Sequence, residues 1–150
     1  MLQNIKKRTE GFTIIEVLIV LAIAGLIMLI VFLAVPALQR NSANNGRRSE
    51  ASRVATAAND FVTNSNGTNP VASADGTGDA KDIKDAVGTT KYITKVSVVT
   101  TAQNTGVTAT DTARIVVGFK CNGVKADTVS ANSMAVQYGL EPATSACINV

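Results

Sequence analysis

The chain has no histidine and only two cysteines, and aromatic residues make up 4% of it. Without histidine, and with no glycine-rich phosphate loop, no nucleophile–base pair can be assembled, and two cysteines do not close a zinc site. The residues therefore argue against an enzyme and imply no cofactor. Of the few aromatics, Tyr92, Phe119 and Tyr138 sit in strand-like stretches, where packing in a sheet accounts for them without a ligand box. An excess of one charge is missing as well. Residues 1–11 carry Lys6, Lys7 and Arg8 against Glu10, so of 14 basic and 11 acidic side chains, 11 and 10 lie beyond them. The isoelectric point near 9.0 is a property of the first residues and gives DNA binding no support. Asp75, Asp79, Asp82 and Asp85 do not follow the spacing of a calcium loop and are interleaved with Lys81 and Lys84, so they read as a solvated loop.

What the chain does have is one long apolar run. Residues 12–35 contain a single charge, Glu16, and a helix needs roughly 20 apolar residues to cross a ~30 Å hydrocarbon core. A cleaved secretory signal has an apolar stretch of about 7–15 residues, and Val35-Pro36-Ala37 is a poor cut site for one. The run reads as a membrane segment, in which a charge costs at least ~2 kcal/mol unless something offsets it. Basic residues flank both ends, Lys6, Lys7 and Arg8 before it and Arg40, Arg47, Arg48 and Arg53 after it, so charge alone leaves the orientation open. Cys121 and Cys147 are either one disulfide or two buried thiols, and the first reading places the distal domain in an oxidising compartment outside the membrane.

Helical spacing continues past Pro36, which lacks an N–H and should kink or loosen the helix. Val54, Ala55, Ala58, Phe61 and Val62 mark one buried face, and Asn44-Asn45-Gly46 reads as a bend or frayed point within it. Asn64-Ser65-Asn66-Gly67 ends the helix. A continuous helix from Phe12 to about Asn64 would span on the order of 80 Å. Residues 65–90 read as a loop with a short helical turn at 80–87. Three alternating stretches follow, at 91–99, 113–121 and 133–141. Ile115, Val117, Phe119 and Cys121 share one face of the second, and Met134, Val136, Tyr138 and Leu140 one face of the third. The economical assembly is an antiparallel meander covering the helix stripe, with a bridge from Cys121 to Cys147 pinning the tail.

At the N-terminus, a cut between Gly11 and Phe12 would give Phe12 a free α-amine able to neutralise Glu16, in one chain or between neighbours. "KKRTEGFTIIEVLIVLAIAG" resembles the class III signal of type IV pilins and related pseudopilins: a basic leader, glycine last in it, phenylalanine first in the mature chain and glutamate at its fifth position. The resemblance implies cleavage after Gly11 by a prepilin peptidase, N-methylation of Phe12, and a docking role for Glu16, with Thr13 matching the second mature residue. Gly25 matches the glycine where the family's helix loosens in the filament, and Pro36 follows it by eleven residues rather than the usual eight. The C-terminal cysteine pair resembles the family's disulfide-bounded region.

The implied architecture is α+β, the pilin fold: a long N-terminal helix, transmembrane in its N-terminal half, on a three- to four-stranded antiparallel sheet. Its divisions are a leader (1–11), a membrane or filament-core helix (12–35), an amphipathic half-helix (36–64) and a head with a variable loop (65–150). The implied function is that of a pilus subunit for motility, adhesion or DNA uptake, or a pseudopilin of a type II secretion or competence apparatus. A signal-anchored binding domain that never assembles is the reading from another class. The implied partners are copies of the chain, the peptidase, an assembly platform with its ATPase, and inner-membrane lipid before assembly. The C-terminal domain would lie outside, first on the inner membrane and then in an extracellular or envelope-spanning filament.

Overall fold

A computed structural model describes residues 11–150. The basic side chains of the leader, Lys6, Lys7 and Arg8, lie outside the described residues. The chain divides into a unit ending at Gln39 and a second unit, Arg40–Val150. The order of elements is α1 (Ile14–Asn64), α2 (Gly78–Val87), β1 (Lys95–Val99), β2 (Thr112–Asn122), β3 (Lys125–Leu140) and β4 (Thr144–Asn149).

The first unit is the apolar part of α1. Its large side chains, from Phe12 through Leu38, are exposed around the whole helix. The helix is unbroken across Gly25, Pro36 and Gly46. It stops at a Schellman motif: Asn66 takes the left-handed conformation (φ 54°) and the Gly67 N–H reaches the Val62 carbonyl at 2.8 Å.

In the second unit, α1 changes character. Ala51, Val54, Ala55 and Ala58 face the sheet, and their small side chains let the helix sit close to Ile115, Val136 and Tyr138. Ile83 and Val87 of α2 and Val96 and Val98 of β1 complete this core. The Asn44–Gly46 stretch, read from sequence as a weak point, is instead where the helix docks. Asn44 exchanges two hydrogen bonds with the backbone of Glu141, at 2.7 and 2.9 Å. Arg47 reaches the Thr110 carbonyl and pairs with Glu141 at 2.7 Å. Gly46 lies against the Tyr92 ring, where an added Cβ would come within 2.2 Å. One turn later, Glu50 accepts three backbone N–H groups, from Lys91, Tyr92 and Ile93, at 2.7–2.9 Å.

The sheet order is β1-β2-β3-β4. β2–β3 is antiparallel as expected and β4, a strand not expected from the sequence, adds antiparallel to β3, but β1 pairs with β2 in parallel, from Lys95↔Thr112 to Val99↔Val116. The sheet is mixed, not a meander. Parallel neighbours need a crossover of about a dozen residues, and residues 100–111 supply it on the face away from α1. There the Ala109 carbonyl lies over Gly139 and Gly106 lies over Ser145, contacts that leave no room for a Cβ at either glycine. Residues 125–132, read as a turn, belong to β3, which joins β2 through the two-residue turn Gly123-Val124 with Gly123 at φ 64°. The tail expected to be pinned by the bridge is itself a strand, β4.

A second correction concerns faces. Ala113, Ile115 and Val117 point toward α1, but Phe119 and Cys121 join Val116 on the opposite side. Gly118, at φ 82°, sits at a register shift between Val117 and Phe119, and the bulge reverses the alternation.

Two outcomes are expected. Burial pushes the Glu50 carboxyl up, but the three N–H donors and the nearby Arg53 guanidinium outweigh it and hold it below its ordinary range. The stability that Glu50 contributes is therefore present above the ordinary carboxyl pKa and lost as pH falls through the lowered one. Glu50→Gln should cost ~2 kcal/mol at neutral pH in denaturant unfolding and flatten that acid limb. Gly139→Ala should cost ~1–3 kcal/mol, because the atom it meets is a backbone carbonyl with no rotamer to escape to.

Candidate functional site

No group of three or more histidine, cysteine, aspartate or glutamate residues gathers to hold a metal among the described residues. The loop aspartates serve the fold. Asp75 accepts the Val96 N–H and pairs with Lys84, Asp79 accepts the Val71 N–H, and Asp85 pairs with Lys81. The chemistry that is left lies at the start of α1.

Gly11, Phe12 and Thr13 precede the helix and are exposed. Thr13 is the N-cap and Glu16 the third helical residue, and the two close a capping box. The Thr13 N–H and hydroxyl both donate to Glu16 Oε2 at 2.8 Å, and the Glu16 N–H donates to Thr13 Oγ1 at 3.3 Å. Two backbone donors that the first turn would leave unsatisfied thus find acceptors within four residues. A carboxylate here also faces the positive end of the helix dipole.

This corrects the picture of a carboxylate without a partner in the uncut chain. Oε2 is already held by Thr13. Oε1 accepts no hydrogen bond among the described residues. The signal was readable, since Thr-x-x-Glu before an apolar run is the sequence form of a capping box, but the cost of a charge in lipid drew attention to what Glu16 lacks. Phe12 and Val17 occupy the positions that flank such a box and line one apolar groove with Ile19, Val20 and Leu21.

The structure places the Gly11–Phe12 bond outside the helix, two residues before its first turn. It brings Thr13 and Glu16 together. Gly25 and Pro36 lie within α1, and a Cβ on Gly25 would meet nothing within 4 Å. Cys121 and Cys147 are bonded to each other, with Cα atoms 5.8 Å apart.

Residues 6–32 match the family model described as the prokaryotic N-terminal methylation motif, the class III signal of type IV pilins. No curated protein and no solved structure matches the chain. The chain thus carries the N-terminal signal of a type IV pilin-like or pseudopilin-like precursor. Consistent with a membrane-anchored precursor, α1 is long and apolar enough to cross a bilayer.

The capping box has a direct test. Thr13→Val keeps the volume but removes the hydroxyl, and should cost ~1 kcal/mol at the helix start, seen as about fivefold faster amide exchange over the first turn in detergent micelles. Thr13→Ser should keep wild-type protection. Equal exchange in all three chains would show that the box does not hold the end.

Proposed function

We propose that this chain is the precursor of a subunit of a type IV pilus-like filament. It is inserted in the inner membrane through residues 12–35 with its C-terminal domain outside, and cut between Gly11 and Phe12 by a prepilin peptidase. It is then N-methylated at Phe12 and polymerised with copies of itself by an assembly platform and ATPase, for motility, adhesion or DNA uptake.

The observation that carries this reading is the junction of the capped start of α1 with an apolar surface exposed on all sides. That surface needs either lipid or other copies of the same helix around it. Exchange of one for the other is the central step of assembly, and Glu16 is what makes it directional. In lipid, Glu16 bears a charge half satisfied by Thr13. After cleavage, Phe12 has an α-amine one residue before the cap, and the Glu16 carboxylate is within reach as its acceptor. The ion pair that forms, within a subunit or between neighbours, is worth most where hydrocarbon excludes water.

Other features support the same sequence of events. Pro36 has no N–H to give the Phe32 carbonyl, and Gly25 carries no side chain to stiffen its turn, so these are the two places where α1 loosens most cheaply as subunits pack. The disulfide suits a domain that resides outside the membrane.

In cells with active peptidase, N-terminal mass spectrometry should find the mature chain beginning at singly methylated Phe12. A chain beginning at Met1 would overturn the processing. Glu16→Ala should enter the membrane at least as well as the parent and yield no filaments in sheared surface fractions. Normal filaments from that variant would remove the role given to Glu16.

A further inference from the structure

The sheet face turned away from α1 holds a feature distinct from the start of α1. Past the bulge at Gly118, the tip of the β2–β3 hairpin leaves the line of its strands. On β2 one residue, Gly118, separates the paired residues Val117 and Phe119, whereas on β3 residues 130–133 separate Val129 from Met134. The tip, residues 119–129, makes its contacts on the outer surface of β3, β4 and the crossover. Cys121 is bonded to Cys147 of β4, and its N–H donates to Asn149 Oδ1 at 2.7 Å. The Val124 carbonyl accepts Gln137 Nε2 at 2.9 Å. Ala126 exchanges two backbone hydrogen bonds with Gln103, at 2.9 and 3.1 Å. Val116, Ala135 and Gln137 are fully buried on that face.

Apart from the disulfide, the tip is held by these hydrogen bonds, by the buried Ala126 and by Phe119, half-buried against Val116 and Ala135, while Lys120, Val124, Lys125, Thr128 and Val129 face solvent, Val129 at 78% exposure. Closure also strands an acceptor: Gln137 Oε1 is buried without a hydrogen-bond partner. Turning the amide over would set that oxygen against the Val124 carbonyl, so no orientation satisfies both ends. An orphaned buried acceptor opposes closure, against which stand the Ala126 methyl and the half-buried Phe119 ring.

We infer that residues 119–129 are a lid whose closure depends on the Cys121–Cys147 bond. An external dithiol opens it by thiol–disulfide exchange: the Cys121–Cys147 bond breaks, two electrons and two protons pass to the pair as two thiols, and the dithiol leaves as its own disulfide. Opening admits water to Gln137 Oε1 and uncovers Val116 and Ala135 beside β4, the last strand of the sheet. The oxidised and reduced chains therefore present different outer faces, and the closed face belongs to an oxidising compartment.

Hydrogen–deuterium exchange on the full chain in detergent micelles tests this, before and after dithiothreitol, with the free thiols confirmed by mass. The Cys121 and Ala126 amides should lose protection on the order of a hundredfold, while 113–117 and 134–138 keep theirs. Unchanged protection of the tip in the reduced chain would overturn the lid, and so would an equal loss through the whole sheet, which would make the bond a global staple. A Cys121→Ser/Cys147→Ser chain should show the reduced pattern without reductant. If it does not fold, reduction of the folded parent carries the test alone.

Discussion

One helix has to satisfy two surroundings, and most of the structure follows from how its sequence divides that task. Up to about Leu38, α1 is apolar on every side, which no water-facing helix sustains. From Arg47 onward it buries one stripe, Arg47 and Glu50 followed by alanines and Val54, and leaves the rest of its surface polar. Such a stripe is thin. It offers close approach rather than large buried area, so the helix is fixed laterally by polar contacts instead: Asn44 and Arg47 to the β3–β4 turn, and Glu50 to the backbone of residues 91–93.

Those contacts explain residues that look ill placed in a helix. Asparagine and glycine at 44–46 weaken the isolated helix by up to ~1 kcal/mol each. Asn44 recovers this by pairing with both backbone groups of Glu141, and Gly46 by admitting the Tyr92 ring, which Arg47 and Lys91 also approach at 5.4 and 5.2 Å. Glu16 follows the same logic at the other end. Its carboxylate is costly in lipid as an isolated charge, yet one of its oxygens closes the first turn.

The legible part of the chain was the part written in short spacings. The apolar run, the stripe at Val54–Val62, the stop after Asn64 and the short second helix each depend on residues within one or two turns, and each stands in the structure. The Thr13–Glu16 box was equally local and equally readable. The alternation in β2 was read correctly as far as Val117 and failed at Phe119, because a glycine in a strand does not announce whether it bulges. The parallel pairing of β1 was not legible at all, since residues 100–111 look like any polar connection and are only long enough to permit a crossover.

By itself, then, the sequence determined where helices begin and end, which stretch is long and apolar enough to span a bilayer, and which residues carry the methylation motif, because these rest on patterns three or four residues apart along one chain. Only the tertiary structure decided the order and direction of the strands, the face on which Cys121 lies, and the folding of the hairpin tip over Gln137. Those outcomes depend on register between segments far apart in the chain, where the shift between Val117 and Phe119 sends Phe119 and Cys121 to the other side.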